Sequence, residues 1–137
     1  MKKILTYLTI AFVATLSSCN GGNNKKAKEI PEKPTNEEIT NIYGLYVKGD
    51  FEKYVGNINS CHGKPTEYKR QMVVAMKQHL HEQEKETGGI KSFSVARIEP
   101  NAKGRQANVF INLNYANGSS EEILLSMVYA GGKWEMQ

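Results

Sequence analysis

Three groups of side chains in this chain could carry chemistry. Cys61-His62 sets a thiol next to an imidazole. A nucleophilic cysteine needs a base placed by the fold and a third group to orient that base. Adjacent residues do not supply that geometry, so the pair reads as a loop thiol and a solvated imidazole. His79-Leu80-His81-Glu82 offers metal-ligand types. It is not His-Glu-x-x-His, and histidines two apart on a helix point about 200° from each other. It reads as a wet helix face, and no metal site is expected. The third group is Tyr43, Tyr46, Tyr54 and Tyr68. Their spacing puts them on the inner faces of three helices, where hydroxyls can orient a ligand in an otherwise apolar pocket. With Met72 and Trp134 they form the candidate ligand-binding set. Asp50 is the sole aspartate and reads as a helix cap. No carboxylate falls among the inward positions, and proton abstraction needs a base of tuned pKa. The expectation is therefore no catalytic residue, no cofactor and no enzyme.

The elements that must position these residues are legible from caps and periodicity. Thr35-x-x-Glu38 is a capping box, followed by Ile39, Ile42, Tyr43 and Tyr46 at helical spacing. Gly49 suits a helix stop and Asp50 the cap of a second helix carrying Phe51, Tyr54, Val55 and Ile58. The polar stretch 57–64 turns the chain. Pro65-Thr66 opens a longer helix in which Tyr68, Met72, Met76 and Leu80 lie four apart, and Gly88-Gly89 ends it. Strands follow over 90–99 and 133–136, with two alternating apolar runs forming a hairpin over 107–129 between them. Helices segregated from strands predict an α+β fold: three N-terminal helices packed on a curved four-strand antiparallel sheet. Asn117-Gly118 marks a hairpin. A plain two-residue loop would pair Leu113 with Glu122 and throw the two apolar sets onto opposite faces. Burying both together needs an odd-length loop or a bulge, with Gly118 left-handed. The other face keeps Phe110, Leu124 and Val128 among asparagines and Ser126.

The 137 residues allow one domain. The formal net charge is +4, two of it from Lys2 and Lys3, and no basic stripe with interleaved aromatics occurs. No nucleic-acid partner is expected. Lys2-Lys3 precede an apolar run too short to span a bilayer as a mature helix. The run ends Leu16-Ser17-Ser18-Cys19, which resembles the lipobox of bacterial lipoproteins. That resemblance implies a signal peptide over 1–18, lipidation of Cys19, and a cell-envelope protein anchored through its lipid. Asn20, rather than aspartate, implies the outer membrane. Residues 19–34 are rich in Gly, Asn, Lys and Pro without apolar periodicity. They read as a flexible tether spanning on the order of 20 Å, leaving 35–137 as the domain.

A second resemblance rests on Ile39-x-x-Ile42-Tyr43-x-x-Tyr46-x-x-Gly49-Asp50-Phe51, on Gly88-Gly89-Ile90-Lys91-Ser92-Phe93 and on Gly131-Gly132-Lys133-Trp134-Glu135-Met136. These are similar to nuclear transport factor 2-like domains of small bacterial lipoproteins, some labelled lumazine-binding. The resemblance implies a cystatin-like cone, a curved sheet wrapped around a long helix, and weak homodimers formed through the sheet. The function expected is a non-catalytic module that binds a small apolar or aromatic ligand or a protein. The alternatives are a small-molecule isomerase or hydrolase in the cone, and a purely structural envelope protein.

Overall fold

A computed structural model of the chain describes residues 31–101 and 104–137. The leader, Cys19 and most of the tether lie outside the described residues. Helix α1 (Asn36–Lys48) starts where the capping box places it. The Thr35 hydroxyl accepts from the Glu38 backbone N–H at 3.1 Å, and the Glu38 carboxylate accepts from the Thr35 N–H at 2.8 Å. Gly49 ends it in the left-handed region at φ 83°. Asp50 caps α2 (Phe51–Gly56), and a short 3-10 turn (Asn59–Cys61) leads to α3 (Thr66–Thr87).

The strands β1 (Ile90–Pro100), β2 (Gln106–Tyr115), β3 (Ser120–Ala130) and β4 (Lys133–Met136) form one antiparallel sheet in sequence order. The fold is α+β, three helices on a four-stranded sheet. Register shifts in β1 between Ile90 and Ser92, and between Val95 and Arg97, bend its pairing with β2.

The hairpin register follows from area burial. Leu113 faces Glu121 and Ile111 faces Ile123, which leaves a three-residue loop, Ala116-Asn117-Gly118, with Gly118 at φ 89°. Ala107, Val109, Ile111, Leu113 and Tyr115 thereby share the buried face with Ile123, Leu125 and Met127. A one-residue slip would expose one of the two sets, at about 1.5–3 kcal/mol for each large side chain.

The core lies between this face and α1 and α2. Ile39, Ile42, Tyr43 and Tyr46 all point into it. Helix α3 covers one side, with Met72, Val73, Met76 and Leu80 only half-buried and no fully buried residue. Its C-terminus is stitched to the hairpin loop: Ala116 N–H donates to Gly89 O at 2.9 Å and Asn117 N–H to Thr87 O at 3.0 Å. Gly88 permits this approach. Its φ is 85°, and a Cβ there would meet the Ala116 Cβ at 3.0 Å. Among the described residues no helix is long and apolar enough to cross a membrane.

Candidate functional site

A cleft of about 400 Å³ opens between α1, α2, the C-terminal half of α3 and the hairpin end of β2 and β3. Tyr43, Tyr46 and Tyr54 form its floor, with Leu113, Ile123 and Leu125 from the sheet and His79, Gln83 and Glu121 at the rim. Each tyrosine is in place for a local reason. Tyr43 and Tyr46 are consecutive-turn positions on the inner stripe of α1, and Tyr54 is one turn into α2 after its Asp50 cap. The rings brace one another, with Tyr43–Tyr46 centroids 5.6 Å apart and Tyr46–Tyr54 centroids 5.2 Å apart. Tyr43 also stands edge-on to Phe93 of β1 at 5.1 Å. Offset and edge contacts of this kind hold aromatic rings at fixed angles.

The three residues are only 4–9% exposed. Their hydroxyls make no hydrogen bond among the described residues, yet none of the three oxygens is sealed from solvent. Buried phenols normally find a partner. Three that instead end in one cleft are available to a bound molecule. Burial is the main cause that lifts the pKa of Tyr43 and Tyr54 well above the ordinary phenol range. For Tyr43, the neighbouring Tyr54, Tyr46, Tyr115 and Glu121 add to the effect, which shows how closely the acidic groups converge.

A hydrogen-bonded chain borders the tyrosines. Tyr115 hydrogen-bonds Glu121, and Gln83 Nε2 donates to the Tyr115 hydroxyl at 2.8 Å. The direction is fixed by chemistry, because an ionised carboxylate only accepts. Tyr115 must donate to Glu121, so its oxygen accepts from the Gln83 amide nitrogen. The Gln83 carbonyl oxygen is left buried without a partner among the described residues. Burial, and then the bond to Glu121, raises the pKa of Tyr115.

The other residues singled out in the sequence lie elsewhere. Tyr68 is on the outer side of α3, 42% exposed, with Lys64 Nζ 5.5 Å from its ring centroid. Positions four apart drift about 40° per step around a helix. Tyr68 therefore leaves the stripe that Met76 and Leu80 hold. Met72 packs half-buried against the core two turns before the cleft. Trp134 is 2% exposed on β4, edge-on to Tyr129 at 5.5 Å. It sits opposite Tyr129, at the far end of β3 from the hairpin loop. His79 lines the cleft, but His81 does not. No cluster of metal-ligand residues occurs among the described residues.

Two expectations need correcting. Carboxylates do enter the inner regions of the fold. Glu121 shares its strand face with Ile123 and Leu125 and reaches the cleft rim. Glu135 is 2% exposed, with His62 Nε2 2.9 Å from its Oε2, Asn59 Nδ2 3.4 Å from Oε1 and Lys133 Nζ 3.8 Å away. His62 Nε2 is also 3.2 Å from the Gly56 carbonyl. The His62 Nε2 is aligned with the Gly56 carbonyl, which is why Glu135 Oε2 has a close contact with the ring but no directed hydrogen bond. The burial arises because Ile58 bridges to Met136, folding the 57–62 loop over the β4 edge. Cys61, read as a loop thiol, is a free core cysteine, 1% exposed. His62 stays at the surface, so the two side chains diverge.

A larger groove of about 460 Å³ runs between α2 and α3, past Glu52, Lys69 and Arg70. Its charges are mixed, and Arg70 already bonds Glu67 at 2.8 Å. It lacks the unpartnered buried polar groups that distinguish the tyrosine cleft.

Comparison with protein-family models gave no match, and comparison with curated proteins gave none. Among solved structures, a candidate NTF2-like transpeptidase from Campylobacter jejuni is similar, with a TM-score of 0.57 at 19% identity, covering 74% of this chain and 97% of that one. At that identity the likeness establishes the nuclear transport factor 2-like fold and leaves the chemistry to the residues themselves.

Proposed function

We propose that this chain is a lipid-anchored envelope protein whose nuclear transport factor 2-like domain binds a small molecule in the tyrosine cleft without transforming it. The observation that carries the reading is the set of three buried, unpartnered hydroxyls of Tyr43, Tyr46 and Tyr54 around a cleft of about 400 Å³. Apolar walls supply burial, and the hydroxyls supply orientation. Glu121 is held as an acceptor by Tyr115 at the rim, which suits recognition better than proton transfer. The lipobox at Cys19 and the tether over 19–34 support a domain floating near a membrane surface, the outer membrane by the identity of Asn20.

A small-molecule thermal-shift screen tests the binding reading. Hits are expected whose stabilisation disappears in Tyr54→Phe while the unliganded Tm stays close to wild type. A screen without such hits would remove the reading. Fractionation of Cys19→Ala tests the anchor; unchanged partition with membranes would refute it. An isomerase reading is second, favoured by His79 and Glu121 sharing one cleft. Turnover lost in a folded Glu121→Gln variant would put it first.

A further inference from the structure

The charge and hydrogen-bond polarity of the cleft restrict what it can hold. The chain Gln83, Tyr115, Glu121 runs in one direction only, because its last member cannot donate. At the rim it leaves the second oxygen of the Glu121 carboxylate free to accept, while the Gln83 carbonyl oxygen is sealed from solvent and one Gln83 N–H remains as a spare donor. Among the described residues, no lysine or arginine lines the cleft. Nor does one line its continuation along α3, where Glu82 and Glu86 add negative charge. A carboxylate, phosphate or sulfate entering here would meet repulsion from these carboxylates. A donor-bearing cation meets attraction instead.

Resting on the small-molecule reading above, we infer that the cleft selects an organic ammonium ion with a flat or apolar body. The ammonium N–H groups donate to the Glu121 carboxylate and to the open tyrosine hydroxyl oxygens, and the body lies on Tyr43, Tyr46 and Tyr54. The geometry supports each part separately. Tyr43 and Tyr54 are more than nine-tenths buried with hydroxyls open to the cleft. Their oxygens can accept from the cation as well as donate to the body. An ammonium also gains from aromatic surroundings, which neutral and anionic head groups do not. Charge-assisted hydrogen bonds are the stronger class, so removing the Glu121 charge should be felt mainly by the cationic ligand.

The test uses three probes with one aryl body and different heads: phenethylamine, 2-phenylethanol and phenylacetate. Each is titrated calorimetrically into the full chain in mild detergent, as wild type, Glu121→Gln and Tyr54→Phe. Phenethylamine should bind wild type most tightly and phenylacetate least. Glu121→Gln still accepts from Tyr115 and should weaken phenethylamine roughly tenfold or more while leaving 2-phenylethanol within about twofold. Phenylacetate binding as tightly as phenethylamine would overturn the inference, as would an unchanged phenethylamine affinity in Glu121→Gln. Silence from all three probes would overturn it too. Alcohol or acid binding that is lost in Tyr54→Phe would remove the charge selectivity and keep the cleft as a binding site. Silence together with an empty thermal-shift screen would remove both.

Discussion

Removing the exposed member of the Glu135–His62 pair should destabilise the protein more than removing the buried one. Glu135 is 2% exposed, whereas the side chains of His62 and Lys133 are 48% and 58% exposed. In His62→Ala the carboxylate stays buried and loses its contact at 2.9 Å, keeping Asn59 at 3.4 Å and Lys133 at 3.8 Å. Breaking a buried pair by removing one partner typically costs about 3–5 kcal/mol. The mobile lysine can close part of the gap, so about 2–3 kcal/mol is expected here, roughly 10 °C in Tm for a domain of this size. In Glu135→Leu the buried charge itself disappears. His62 returns to water and the Gly56 carbonyl, and leucine fills a similar volume. That variant should lie within about 1 kcal/mol of wild type. Trp134 is the single tryptophan and is buried, so urea unfolding can be followed by its fluorescence. The reasoning fails if Glu135→Leu is destabilised as much as His62→Ala.

Four further outcomes are expected. Gly88→Ala should cost about 2 kcal/mol, from positive φ and the Ala116 contact, read by thermal unfolding; no change would mean that the helix-to-hairpin stitch can relax. Cys61→Ser should destabilise by about 1–3 kcal/mol, because it buries a hydroxyl in an apolar cluster, while Cys61→Val should be milder; the reverse order in urea titrations would contradict the core placement. The raised phenols of Tyr43 and Tyr54 favour the folded state only while neutral, so their contribution is complete below the ordinary value of 10.0 and falls as pH rises beyond it; flat urea stability across that range would refute it. Sedimentation equilibrium should find a weak dimer through the outer sheet face, lost in Leu124→Glu. Leu124 is 55% exposed there, beside Phe110, whose ring Arg97 covers at 3.7 Å; monomer alone at high concentration would end that proposal.

What the sequence discloses depends on how local each cause is. The capping box, the Gly49 stop and the i, i+3, i+4, i+7 stripe of α1 act within a few residues, and all three appear as expected. The hairpin register was also accessible, because only one register buries both apolar sets. Counting fours along α3 without the accumulated rotation misplaces Tyr68. Gln83 lies three residues past Leu80 on that stripe, and a rotating reading would have included it. Glu121 had a signal as well: it shares parity with Ile123, Leu125 and Met127, which the charged pair Glu121-Glu122 masks. Glu135 had none. Its parity is opposite to Trp134 and Met136, and it is buried only because a loop more than seventy residues earlier crosses the sheet edge.

Helix α3 gives the cleft one wall without committing any residue fully to the core. The floor is different, since Tyr43 and Tyr54 belong to the buried cluster. Truncating a fully buried large side chain typically costs about 2–5 kcal/mol, and a half-buried one proportionately less. Inheritance should therefore act unequally on the two sides. Lineages descending from this chain are expected to hold the tyrosine floor nearly constant and to vary at His79 and Gln83, changing their ligand by one wall at small cost to the fold.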